Sequence, residues 1–321
     1  MLKTPLLGVA GLVLAGALAP AATQEITLRG VSSFAEGTFF SRGFERFVEK
    51  VNKDGKGVIQ INYIGGPRAI PRFEVGNAVR SRVVDIANAT GAFYTNLMPE
   101  ADAFKLLGKP AAEQRKNGTW AYLNELHNKK LNSYYLARQF LPLPFHLYLN
   151  KKIDKLDLTG LRIRVTPIYR DLVQALGGTP VTTPPGEVYT ALERGVVDGY
   201  GWPITGIFDL GWEKATKYRL QPPFYTVEGS VLVNLDTWNG LNDQQRKVLQ
   251  DAAAWLENLE SENAALIEAE RARQEKFGIQ ALDFGSAASQ DFVKKANDVA
   301  WQSVIAKAPE SGKRLRELAG N

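Results

Sequence analysis

The sequence predicts an α/β fold divided into two domains and backed by one long helix that spans both. Strand-like and helix-like periodicities alternate along the chain in two separate sets. With an apolar leader set aside, about 298 of the 321 residues remain, more than one core usually organises. Residues 242–277 hold the longest helical pattern in the chain, long enough at about 1.5 Å per residue to reach across two domains.

The leader comes first. Lys3 precedes "PLLGVAGLVLAGALAP", which carries no charge and ends in small residues, with Ala19 and Ala21 spaced as an A-x-A cleavage site. This pattern predicts a signal peptide over residues 1–23 and an exported mature chain. An uncleaved anchor is the competing reading, but the run is short for a spanning helix and has no second copy.

"EITLRGVSS" then reads as a strand. Phe40, Phe44, Phe47, Val48 and Val51 recur at three and four, which predicts a helix that ends in the "DGKG" turn. "VIQINYI" alternates as a second strand, and a further helix leads to a strand at Val83–Asn88. The second set begins near "ARQFLPLP". "PFHLYLNKKI" alternates, and "GLRIRV" places Leu161, Ile163 and Val165 on one face and Arg162, Arg164 and Thr166 on the other. A helix over Tyr169–Leu176 is closed by Gly177-Gly178, a second one follows "PGEV", and "VDGYGWP" makes a turn and a short strand. "SVLVNLDTW" returns as a strand at Ser230–Leu235. The long helix then opens with Asn242 as N-cap and Gln245 as capping-box partner, and Gly278 stops it. A coiled-coil dimer is its rival role, but the apolar spacing holds no strict heptad.

The composition excludes several functions. The net charge of +5 is spread without a basic run, so it gives no nucleic-acid footprint. Two histidines, His127 and His146, and no cysteine leave little to bind a transition metal. No cofactor or metal is expected. The sequence has no G-x-S-x-G elbow, H-E-x-x-H pair or P-loop, and Glu187 and Glu193 sit on one helix among polar neighbours; nothing points to an enzyme. Two features stay open. Arg162 and Arg164 either face water or build an anion site, and Trp202 either covers a flat ligand or fills a domain seam.

The stretch from "LTGLRIRV" to "ALGGTPVTTPPGEVYTALERGVVDGY" resembles the signature region of the solute-binding proteins of tripartite ATP-independent periplasmic (TRAP) transporters, the DctP-like family. The matching residues are Arg162, Arg164, Leu176 to Pro180, Glu187 to Leu192 and Gly195 to Gly199. The resemblance implies a two-domain periplasmic-binding-protein fold with a ligand cleft between domains. Residues 24–137 with 229–277 would form the first domain, and 138–228 with 278–321 the second. It also implies that Arg164 pairs with a ligand carboxylate, with Arg138 as a second arginine from a crossing strand. Ser33, Phe34, Thr38 and Phe39 would follow the first strand at the site, and Thr90 and Tyr94 the third. Where the family often carries a polar clamp, Tyr200-Gly201-Trp202 stands instead. The implied function is capture of a small organic carboxylate by hinge closure and its delivery to TRAP membrane permease subunits from the periplasm. An aromatic or medium-chain mono- or dicarboxylate fits the aromatic walls, and Arg68 or Arg72 could hold a second carboxylate. The rival functions are a periplasmic enzyme and a sensor-associated binding protein on the same fold.

Overall fold

The computed structural model describes residues 25–140 and 142–320. The expected leader lies outside them. Among the described residues twelve strands form two sheets. In chain order they are β1 (Ile26–Ser32), β2 (Ile59–Tyr63), β3 (Ile86–Ala89), β4 (Ser133–Gln139), β5 (Pro144–Leu149) and β6 (Arg162–Val165). They continue with β7 (Thr179–Thr182), β8 (Gly199–Pro203), β9 (Tyr218–Leu220), β10 (Tyr225–Thr226), β11 (Gly229–Asn234) and β12 (Gln280–Leu282).

The first sheet runs β2-β1-β3-β11-β4. Its first three strands are parallel, and β11 enters antiparallel between β3 and β4. Helices cover both faces, so β3 and β11 are buried at every position and read as near-continuous apolar or small runs. Leu28, Ile86, Val231 and Val233 pack on one face against Phe44, Phe47 and Val51 of the helix Phe39–Asp54, whose three-and-four spacing supplies that stripe. Val31, Ala87, Ala89 and Leu232 pack on the other. The second sheet runs β12-β9-β5-β8-β6-β7, with β10 paired to β5. Strand β6 lies parallel to β7 and β8, so Arg164 pairs in register with Val181 and Tyr200. Between the lobes lies an aromatic seam: Phe34, Phe40 and Phe93 from the first meet Trp202, Ile204 and Trp212 from the second in one buried cluster.

The long helix is two helices. Asp243–Asn258 opens on the expected capping box: the Gln245 N–H donates to Asn242 Oδ1 at 2.9 Å, and the Asn242 N–H donates to Gln245 Oε1 at 3.0 Å. A 3₁₀ turn at Leu259–Glu262 follows, and a second helix, Asn263–Phe277, ends at Gly278 with φ +105°. The break falls where the packing partner changes. Leu249, Ala252, Ala253 and Leu256 of the first half join the first lobe's core. The second half buries Gln274, which binds Arg219, the Tyr148 hydroxyl and the Ile204 carbonyl in the second lobe.

Two expected boundaries also shift. Arg138 and Gln139 finish β4 in the first sheet rather than opening the second domain. The tail 278–321, expected wholly in the second domain, is shared. Strand β12 joins the second sheet, but the 22-residue helix Ser286–Lys307 seats Phe292, Ala296 and Ala300 in the second core and Trp301 and Val304 in the first. At about 1.5 Å per residue it is long enough to serve both. Leu315 of the last helix also packs in the first core. None of the described helices is long and apolar enough to cross a membrane.

Candidate functional site

Strand β6 exposes Arg162 and buries Arg164 two residues on, the same pleat face at different depths. Arg162 sits at the rim. Its Nε lies 3.5 Å from Asp198 Oδ2, and its guanidinium donates to the Gly195 carbonyl. Arg164 is 0% exposed. Its Nε donates to the Thr183 carbonyl at 2.9 Å and its Nη1 to the Tyr169 hydroxyl at 3.2 Å. Tyr169 is fixed in turn by donating to the Gly201 carbonyl at 3.0 Å. Gly201 has to lack a side chain, because a Cβ there would lie 2.6 Å from the Tyr169 ring. Trp202 covers the guanidinium, with Cζ 5.6 Å from the indole centroid. Nη2 has no partner, and no described carboxylate forms an ion pair with Arg164. A buried charge in that state is costly unless an anion meets it.

Arg164 belongs to the wall of a cavity of about 60 Å³ between the lobes. Phe34, Phe40, Phe93 and Phe104 from one lobe and Phe145 and Trp202 from the other wall it. Its polar lining is Arg164, Lys105, Glu228, Thr90 and Thr166. Thr166 Oγ1 and Trp202 Nε1 are buried without partners. Lys105 bridges the lobes, binding Asp102 at 2.6 Å in its own and the Ile168 carbonyl in the other. Burial pulls the Lys105 ammonium down and pushes the Asp102 carboxyl up, each against the pull of its partner's charge. Glu228 accepts from the Gly91 N–H at 3.0 Å and from the Tyr135 and Ser230 hydroxyls. Burial pushes its carboxyl up, and the Arg138 charge opposes that.

Of the residues expected at the site, the cavity brings together Arg164, Trp202, Phe34 and Thr90. Thr38 stands beside it, on an adjoining cavity of about 80 Å³. Five others lie elsewhere. Arg138 is buried behind the wall, where Nη1 donates to Gln114 Oε1 at 2.7 Å and Nη2 to the Phe104 carbonyl at 3.1 Å; it acts on the cavity only through Glu228. Tyr94 turns into the first core and meets His127 Nε2 at 3.2 Å. Tyr200 stacks on Tyr148 and shares a 2.6 Å hydrogen bond with Thr216. Ser33 is buried, its N–H donating to the Asn88 carbonyl at 2.8 Å, and is not part of the wall. Phe39 lines a separate groove with Arg42, Phe140 and Leu256. The sequence reading missed Lys105, Glu228, Thr166 and the rings of Phe40, Phe93, Phe104 and Phe145. Lys105 and Phe104 sit on a 3₁₀ run, Pro99–Leu106, and Glu228 on the short link before β11, where no periodicity marks a face.

Neither histidine faces the cavity. His127 donates or accepts at the Leu123 carbonyl and His146 at the Leu220 carbonyl. Burial lowers His127 to about 4 and His146 to about 3. Both rings therefore bind a proton less well folded than unfolded. The stability they support is complete above the unfolded value of about 6.5 and falls as pH drops below it, by about 1.4 kcal/mol per unit for each ring down to the folded value. Glu228 and Asp102, pushed up, carry the opposite sign, so the rings themselves are the place to read the effect. The ring carbon resonances of both histidines should not titrate between pH 8 and 5; a midpoint near 6.5 for either would contradict the burial described.

The family model described as bacterial extracellular solute-binding protein, family 7 (DctP) matches residues 31–307. A monocarboxylate 2-oxoacid-binding periplasmic protein of Nostoc sp. is 25% identical over 229 residues, covering 67% of this chain and 61% of that protein. Two other curated relatives are matched over 38% and 46% of their length. Among solved structures, a TRAP periplasmic solute-binding protein from Desulfovibrio salexigens with bound orotic acid superposes with a TM-score of 0.81 at 20% identity, over 92% of this chain and 97% of that one. One from Roseobacter denitrificans with bound L-galactonate gives 0.77 at 21% identity, over 92% and 99%. At such identities these structures speak to the fold.

Proposed function

The chain belongs to family 7 of the bacterial extracellular solute-binding proteins, and on that premise we propose that it captures a small organic carboxylate between its lobes and hands it to a TRAP membrane permease. One observation carries the ligand chemistry: Arg164 is buried in the inter-lobe cavity with an unpartnered Nη2 and, among the described residues, no carboxylate in an ion pair with it. A planar guanidinium matches a carboxylate with two parallel hydrogen bonds, which orients it as well as holding it. Five Phe rings and Trp202 supply most of the cavity's apolar wall. Among aromatic and medium-chain mono- and dicarboxylates, the ring-rich lining favours the aromatic ones, which can stack on those faces. A polyhydroxy acid would bury hydroxyls against rings, at about 1–3 kcal/mol for each one left unpaired. The enzyme reading has little to work with, since Glu228 is the one carboxylate on the wall among the described residues and no histidine joins it.

A thermal-shift screen tests this reading. Aromatic carboxylates, 2-oxoacids, medium-chain acids and aldonic or uronic acids would be compared at one common concentration; an acid present at about 100 times its Kd adds about 2.7 kcal/mol, and a weaker one adds less. Aromatic acids should stabilise most. Stabilisation by sugar acids alone would overturn the wall reading, and stabilisation only by amines or neutral sugars would overturn the anchor.

Closure also has a contact of its own. The helix Phe39–Asp54 has no side-chain cap from its N-cap residue Thr38. Asp209 supplies one from the other lobe, accepting from the Phe39 N–H at 2.8 Å with Arg42 Nη2 3.7 Å away. A lost helix cap costs about 1 kcal/mol. Because this cap spans the cleft, its loss falls on the closed form. Asp209→Ala should raise the Kd of the best acid about fivefold by calorimetry, and Asp209→Asn, which can still cap, by less. Equal affinities for all three proteins would exclude Asp209 from closure.

A further inference from the structure

A second guanidinium borders the same aromatic box and, among the described residues, has no ion-pair partner. Arg72 opens the 3₁₀ turn Arg72–Glu74 and is half-buried. Its Cζ lies 5.8 Å from the centroid of Phe93, a ring of the Arg164 cavity. Among the described residues it forms no hydrogen bond and no ion pair. Glu36 borders the same outer pocket of about 410 Å³ but does not pair with it. On its inner side Arg72 lines the adjoining cavity of about 80 Å³, and Phe34, Phe40 and Trp202 are walls of both that cavity and the one holding Arg164. Thus the two cations flank one set of rings, Arg164 fully buried and Arg72 half-buried. Burial first, and then the Arg164 charge, lower Arg72 to about 10, so each guanidinium lies within the field of the other.

We propose that Arg72 and Arg164 form a two-cation seat, and that the preferred ligand is a flat acid with a second anionic group: one carboxylate meets Arg164 in the inner cavity and the second group reaches Arg72 past Phe34, Phe40 and Trp202. This deepens the reading of Arg164 as the anchor and rests on it. Like charges held in one partly desolvated place repel, and a dianion lying between them relieves both at once. Arg138, behind the wall, takes no part, and Arg68 borders only the outer pocket.

The test uses pairs of acids that differ only in the second carboxylate: benzoate against benzene-1,3-dicarboxylate and benzene-1,4-dicarboxylate, titrated calorimetrically into wild type, Arg72→Gln, Arg72→Lys and Arg164→Ala. Wild type should prefer at least one diacid by about tenfold or more. Arg72→Gln should erase that preference while holding benzoate within about threefold, and Arg72→Lys, which keeps the charge, should restore part of it. Arg164→Ala should lose both acids. A wild type without diacid preference, or an Arg72→Gln protein that keeps the preference, overturns the seat and leaves the anchor standing. The same holds if Arg72→Gln weakens mono- and diacids equally, since Arg72 is then only a part of the wall. Unchanged binding of both acids in Arg164→Ala overturns the anchor and the seat with it.

Discussion

Arg164→Ala is expected to abolish carboxylate capture, raising Kd by about 30-fold to several thousand-fold, the equivalent of about 2–5 kcal/mol. The size follows from depth. Arg164 is fully buried and lines the cavity, two of its nitrogens are already held by Thr183 and Tyr169, and the third has no partner. Arg164→Lys should fare little better, since an ammonium offers no planar fork and cannot reach Thr183, Tyr169 and ligand at once. Arg164→Met separates binding from folding. It removes a buried charge that no described carboxylate neutralises, so the ligand-free protein should be at least as stable to urea as wild type while binding is lost. An Arg164→Ala protein that binds the best acid within twofold of wild type would move the anchor elsewhere. A strongly destabilised Arg164→Met would make the arginine chiefly structural.

Trp301→Ala should cost about 3–5 kcal/mol of stability. Trp301 is 1% exposed and sits just past Ala300 on the helix Ser286–Lys307, where that helix passes from the second core to the first. Truncation leaves a hole among Val304, Leu315 and their neighbours that a helix fixed at both ends cannot close. Trp301→Phe should be far milder, because the indole Nε1 has no partner and its removal offsets part of the lost volume. Urea unfolding of both variants measures the difference; an alanine variant within 1 kcal/mol of wild type would mean that the helix end is not gripped as described.

How much of this could be read in the sequence depends on periodicity. The alternation in "GLRIRV" placed Arg162 and Arg164 on one face, and the structure separates them by depth, which alternation does not encode. The capping box at Asn242 and Gln245 and the stop at Gly278 were legible because they are local chemistry. The break at Leu259–Glu262 was not. It has no proline or glycine to mark it and reflects a change of packing partner. Tyr94 was expected at the site, but its neighbour Phe93 is the wall residue, since the 3₁₀ turn Gly91–Phe93 rotates each successive side chain by a third of a turn. Arg138 shows the same limit. The strand was found, but whether its guanidinium met the cavity or Gln114 depended on residues far away in the chain.

The aromatic seam bears on residence time. Parting the lobes would wet Phe34, Phe40, Phe93, Trp202 and their neighbours, which the closed form keeps below a tenth of full exposure. At about 25 cal/mol for each Å² of apolar surface, that wetting is a barrier of its own, separate from the ion pair on Arg164. If the proposed capture holds, escape is gated by the rings as well as by the anchor, and an acid held by one salt bridge should leave no faster than water can enter between Phe40 and Trp202.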